Sequence, residues 1–151
     1  MKIRFLTKGK KKELLRNLEK NFGIEKPDFL FFETIRDIRI FTGSVSKEDL
    51  GILVKNLQIQ TMGLFFARRE GGELRLSLDA THLLSKKIKK NILEISSVQK
   101  ERWMNCESIE IEKSLKGIFI VKNKEDFMGT GKALNGKLFN FLPKERRTGN
   151  Y

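Results

Sequence analysis

Asn135-Gly136 sits between two apolar runs, Phe127 to Leu134 and Lys137 to Leu142. Asn-Gly supplies both central residues of the tight turn whose twist matches a pair of antiparallel strands, so this stretch reads as a β-hairpin. Its neighbours share that texture. Gly117 to Lys122 carries Ile118-Phe119-Ile120-Val121 ahead of a polar turn at 122–126. Ser108 to Ile111 alternates, Asn91 to Ile95 forms another short apolar run, and Ser96 or Ser97 can cap a short helix over Val98–Met104. Several short strands with one helix predict a small barrel or open sandwich for residues 87–147.

The N-terminal half has a different texture. From Lys11 to Phe22, Leu14, Leu15, Leu18 and Phe22 share one helical face and Lys and Arg fill the other, with Gly23 as the stop. Two extended stretches follow, Phe29 to Phe32 and Ile35 to Phe41. A second helix is expected over Lys47–Leu57, capped by Ser46, with Leu50, Leu53, Val54 and Leu57 turned inward. Met62–Arg69 and Glu73–Leu78 flank Glu70-Gly71-Gly72 as a hairpin, and Asp79 is positioned to cap a short helix through Leu84. The lysine run at 86–90 separates the two textures. The expected organisation is therefore α+β, with an α/β domain at 1–85 and a second domain at 86–151.

Charge is the first functional clue. The 151 residues hold 31 basic and 19 acidic side chains, a net +12, which suits an anionic partner. Residues 1–26 carry nine basic and three acidic groups, residues 86–100 five and one, and residues 129–151 five and one. The intervening segments each sum to −1: seven basic against eight acidic at 27–85, and five against six at 101–128. Three basic blocks converging in the fold would form the electropositive surface that phosphate binding requires.

Catalytic constellations are missing from the pattern. Gly129-Thr130-Gly131-Lys132-Ala133 lacks the first glycine and the Ser or Thr of a phosphate-binding loop, and it runs towards a hairpin, not into a helix. Its glycines fit a β-bulge or a tight barrel corner. One Cys and one His, Cys106 and His82, cannot furnish a Cys/His zinc site, and nothing suggests that they meet as nucleophile and base. Glu110 and Glu112 fall on the solvated side of an alternating strand. No apolar run approaches the ~20 residues of a membrane span, no signal peptide is recognisable, and a single Cys suits a reducing cytoplasm. No S-adenosylmethionine site, metal site or other cofactor site is expected, and the protein reads as non-enzymatic.

The C-terminal third carries a resemblance. Gly117-Ile118-Phe119-Ile120-Val121, Phe127-Met128-Gly129-Thr130-Gly131-Lys132 and Asn135-Gly136-Lys137-Leu138-Phe139-Asn140-Phe141-Leu142-Pro143-Lys144, with Arg146-Arg147, resemble the PUA-like RNA-binding segment that ends many Sun-family rRNA cytosine-C5 methyltransferases. Val98 to Glu107 is similar to that family's helix and following turn, where Asn105 stands in place of the usual Gly. The layout of an α/β region before a PUA domain is also similar to large-subunit assembly factors with a pre-PUA domain. The methyltransferases' Cys-bearing catalytic domain has no counterpart here. The resemblance implies a small α/β pre-PUA-like unit followed by a PUA-like β pseudobarrel. It implies close RNA backbone approach at Gly129 and Gly131 and phosphate contacts from Lys132, Lys144, Arg146 and Arg147, with Lys100 and Arg102 as further candidates. The expected function is binding of structured rRNA or tRNA during RNA modification or ribosome assembly. The alternative is a protein–protein adaptor that docks onto an RNA-modifying enzyme or a pre-ribosomal particle.

Overall fold

The computed structural model describes residues 3–59 and 61–148; Met1-Lys2 and the tail beyond Thr148 lie outside the described residues. Two five-stranded sheets make up the fold. The first is an antiparallel meander of β1 (Arg4–Phe5), β2 (Leu30–Glu33), β3 (Asp37–Phe41), β4 (Leu64–Glu70) and β5 (Glu73–Leu76). Helix α1 (Lys8–Phe22) joins β1 to β2, and α2 (Lys47–Asn56) joins β3 to β4. After a short α3 (Leu78–Leu83), the second sheet is built from β6 (Ile92–Glu94), β7 (Ile109–Glu110), β8 (Gly117–Asn123), β9 (Asp126–Leu134) and β10 (Lys137–Asn140). Its order is β6-β8-β9-β10-β7, with α4 (Ser97–Met104) between β6 and β7. The fold is α+β, and the second sheet curls into a half-barrel of PUA type.

The helix ends follow from local chemistry. Thr7 accepts the Lys10 amide, so α1 starts before the apolar face that marks it in the sequence. Gly23, at φ 67°, and Ile24 return amides to Glu19 and Leu18 and close the helix. Ser96, not Ser97, caps α4 and forms a complete capping box with Gln99. Ser77, not Asp79, caps α3: its hydroxyl accepts the Ala80 amide at 3.0 Å and donates to the Phe65 carbonyl at 2.6 Å. Leu78 is thereby the first residue of α3 and not the last of β5.

The first sheet is covered on both faces. Leu14, Leu18 and Phe22 of α1 pack on Phe31, Ile38, Ile40 and Phe66. Leu50 of α2 packs with Phe32 and Ile3 on the opposite face, helped by the half-buried Phe5 and Val54. Leu53 and Leu57 do not turn inward as the periodicity suggests; they are 41% and 57% exposed. Gly51 lies against the Phe5 ring, so the covered side of α2 runs through Leu50, Gly51 and Val54.

One core crosses between the sheets. Ile120 and Phe127 of the second sheet join the α1 cluster together with Leu84 and Ile88. A second cluster fills the half-barrel around Trp103, which is fully buried and donates its indole N–H to the Met128 carbonyl at 2.8 Å. Gly131 lies beneath that indole. A Cβ there would come within 2.6 Å of Trp103 Cη2 and 2.9 Å of the Phe139 carbonyl oxygen. Gly131→Ala is therefore overpacked by roughly 1–3 kcal/mol. At ~2–4 °C per kcal/mol for a domain of this size, a thermal melt should fall by roughly 2–12 °C. An unchanged melt would show that Trp103 yields without cost.

Candidate nucleic-acid interface

Gly129 and Gly131 both turn inward. Met128 and Gly129 on β9 face the single residue Val121 on β8, a bulge that Gly129 accommodates at φ 79°. The buried Gly129 amide donates to Thr81 Oγ1 at 3.0 Å, and Gly131 is roofed by Trp103. At Gly131 the space is taken by Trp103 from within the protein, whereas Gly129 also borders a cleft between the sheets. Asn105 keeps an ordinary φ of −87°; the left-handed residue of that turn is Cys106, at φ 62°.

Four of the six predicted cations are ion-paired. Lys132 reaches across the sheets to Glu73 at 2.7 Å, and Arg146 donates from Nη2 to both carboxylate oxygens of Asp79 at 2.8 and 2.9 Å. Lys100 pairs with Asp126 at 2.8 Å and Arg102 with Glu107 at 3.0 Å, both within the half-barrel. Lys144 and Arg147 are exposed in the 3₁₀ turn and just after it, and make no ion pair among the described residues. His82 is exposed, and the half-buried Cys106 thiol donates to the Leu142 and Pro143 carbonyls at 3.7 Å. Among the described residues, no group of three His, Cys, Asp or Glu could hold a metal ion, and no helix is long and apolar enough to cross a membrane.

The first two basic blocks meet. The amides of Lys89 and Lys90 donate to the Phe22 carbonyl at 2.8 and 3.1 Å, and Asn91 Nδ2 donates to the Asn21 carbonyl at 2.6 Å. The 86–90 run therefore packs on the C-terminal end of the lysine-rich helix α1. Lys144 to Arg147 lie instead beside α3, held by the Arg146–Asp79 pair.

Arginines from segments whose charges cancel in the sequence come together in space. A cleft of about 430 Å³ opens between the sheets, and Arg39, Arg68, Arg75 and Arg146 line it with Phe65 and Phe141. It abuts, through Asp37, a second depression of about 510 Å³ lined by Arg4, Arg36 and Arg69. Among the described residues, seven of the ten arginines but a single lysine, Lys10, line these two concavities. Five of those arginines come from residues 27–85, the segment whose charges cancel in the sequence. Arg75 stacks on Phe141, its guanidinium 3.9 Å from the ring centroid, while pairing with Glu70 at 2.6 Å. Arg39 donates to the Met62 and Gly63 carbonyls at 2.8 and 2.6 Å and makes no ion pair among the described residues. The Asp37 carboxylate accepts from Arg68 Nε at 2.7 Å, and that hydrogen bond raises the guanidinium pKa further.

Residues 90–148 match the family model of the methyltransferase RsmF PUA domain. The C-terminal segment is PUA-like. Strand pairing shows why the motif spacings hold together: Gly-x-Gly-Lys lies on β9, the Asn-Gly turn links it to β10, and Asn140 then anchors the exit. Asn140 Nδ2 donates to the Trp103 and Glu107 carbonyls, and its Oδ1 accepts the Leu142 amide. A PUA domain is an RNA-binding module. No curated protein matches the chain.

Within this PUA segment the Lys100 ammonium holds the Asp126 carboxyl below the usual aspartate range, first by its hydrogen bond and then by its charge. A carboxylate so lowered stabilises the fold above its unfolded pKa and loses that contribution as pH falls through its folded value. In an NMR titration Asp126 should therefore titrate below an ordinary exposed aspartate. Lys100→Met should return it to the ordinary range; a midpoint that stays low would place the cause elsewhere.

Proposed function

We propose that the protein binds structured rRNA or tRNA and acts, without catalysis of its own, in RNA modification or ribosome assembly in the cytoplasm. The observation that carries this reading is the PUA match at 90–148. The lysine-rich meeting of α1 with 86–90, and the exposed Lys144 and Arg147, supply cations that a phosphate backbone can approach. Lys132, Arg146, Lys100 and Arg102 would exchange a carboxylate for a phosphate, a weaker gain than an unpaired cation makes. Such contacts read the shape and backbone of RNA more than its sequence.

The adaptor reading draws on α2, whose Ile52, Leu53 and Leu57 are exposed on a helix that covers the sheet with only part of its apolar residues. RNA titrations separate the two. With about four to six phosphate contacts, a fourfold rise in salt should weaken binding by roughly two to three orders of magnitude. Joint replacement of Lys144 and Arg147 by Ala should flatten the salt slope by about 1.5 units. The melt should barely move, because exposed unpaired charges matter by less than about half a kcal/mol. Absence of RNA binding at low salt would overturn the reading and turn attention to α2.

A further inference from the structure

The lysines and arginines of this chain are used differently. Lysines are spread over α1, α2, the 86–90 run and the second sheet with its loops, where solvated point charges suit an irregular phosphate backbone. Seven of the ten arginines line the two concavities, four of them in the cleft walled by Phe65 and Phe141. Arginine is the side chain for planar work: it stacks on aromatic faces, offers a fixed fork of donors, and sheds water more readily than an ammonium. The two concavities together present eight cations against the carboxylates of Asp37, Asp79 and Glu33. Two guanidinium nitrogens there, Arg75 Nε and Arg69 Nη2, are buried without a hydrogen-bond partner among the described residues. A buried donor of that kind costs about 1–3 kcal/mol until something accepts from it.

The walls complete the picture. Phe141 carries the Arg75 guanidinium on its face at 3.9 Å, and Phe65 carries that of Arg68 at 5.7 Å. Bulges bend both strands that meet the cleft, at Phe66 on β4 and at Met128–Gly129 on β9. The polar groups on the floor are already used: Ser77 binds Phe65 and Ala80, and Thr130 donates to the Leu76 carbonyl. What the cleft offers is therefore flat surface and guanidinium donors. Its volume falls within the ~300–1,000 Å³ range of sites that enclose one small planar ligand.

We infer that the arginine-lined cleft takes a single-stranded stretch of RNA, holding one unstacked base against the walls built by Phe141 and Phe65 with their stacked guanidinium planes, while the flanking phosphates follow Arg68 and Arg36 into the adjoining depression. The inference rests on the RNA-binding reading and names which part of the RNA enters which part of the protein. A base paired inside a duplex cannot enter such a cleft. Unpaired loops, bulges and ends can, because their bases splay out and stack on aromatic rings or guanidinium planes. Asp37 and Asp79 keep Arg68 and Arg146 in place before RNA arrives, and they repel a phosphate placed too deep, so the base and not the phosphate goes inward.

The test compares one RNA stem as a blunt hairpin and with a short single-stranded extension at either end, with a fluorescent adenine analogue in the extension. The extension should tighten binding by about tenfold, the scale of one stacked base, and quench the analogue. Arg75→Lys with Phe141→Leu keeps the charge and removes the planes; it should lose both effects while binding the blunt hairpin as the parent does. Arg36→Ala lies at the exposed end of the track and carries the same test if the double variant melts. Equal binding of both RNAs by the parent would overturn the inference and leave the RNA reading intact. Binding of neither would overturn the RNA reading itself. An extension effect that survives in both variants would place the single strand elsewhere and overturn the cleft assignment.

Discussion

Thr130 donates its hydroxyl to the Leu76 carbonyl at 3.0 Å, and Thr81 accepts the Gly129 amide at the same distance. Both threonines are almost wholly buried, so each bond replaces water completely. A satisfied buried bond contributes on the order of 1 kcal/mol, whereas an orphaned partner costs about 1–3 kcal/mol. The pair ties the end of β5 and the start of α3 to the bulge in β9. That junction fixes how the meander stands against the half-barrel, and the arginine cleft exists only because they stand at that setting. Ile120 and Phe127 continue the join in apolar material.

The surface chemistry then divides by side-chain type. Exposed lysines form a diffuse phosphate-attracting field, strongest where 86–90 packs on α1. Arginines gather where planar contact and partial burial reward them. The ion pairs Arg146–Asp79, Lys132–Glu73 and Arg68–Asp37 span separate elements and hold that ground in shape. As half-exposed pairs each contributes about 1 kcal/mol or less to stability. Their greater effect is geometric: they hold long side chains in one arrangement before a ligand arrives.

Much of the fold was legible because its signals are local. The α1 face, the Gly-Gly and Asn-Gly hairpins and the Ser96 cap depend on residues within one turn of one another. The PUA motif was legible because β9 and β10 bring its residues into register. Long-range choices were not. Nothing in the spacing of Leu50, Leu53 and Leu57 reveals that Gly51 settles against Phe5. Gly131 reads equally as room for a ligand or room for a side chain such as Trp103, and only the packed barrel distinguishes them. The cleft was hidden by summation: residues 27–85 carry seven basic side chains, five of them arginines, against eight acidic ones, and the register of β3, β4 and β5 sorts them in space. A count of arginine separately from lysine along the chain would have flagged that segment.

The most direct measurement is ultraviolet cross-linking of the protein to a hairpin RNA with an unpaired end, followed by mass-spectrometric mapping of the attached peptides. Cross-links to the strands that carry Phe65 and Phe141, together with contacts from α1 and 86–90, are the predicted result. Cross-links confined to α1 and 86–90, with none in the cleft or the PUA segment, would contradict the account.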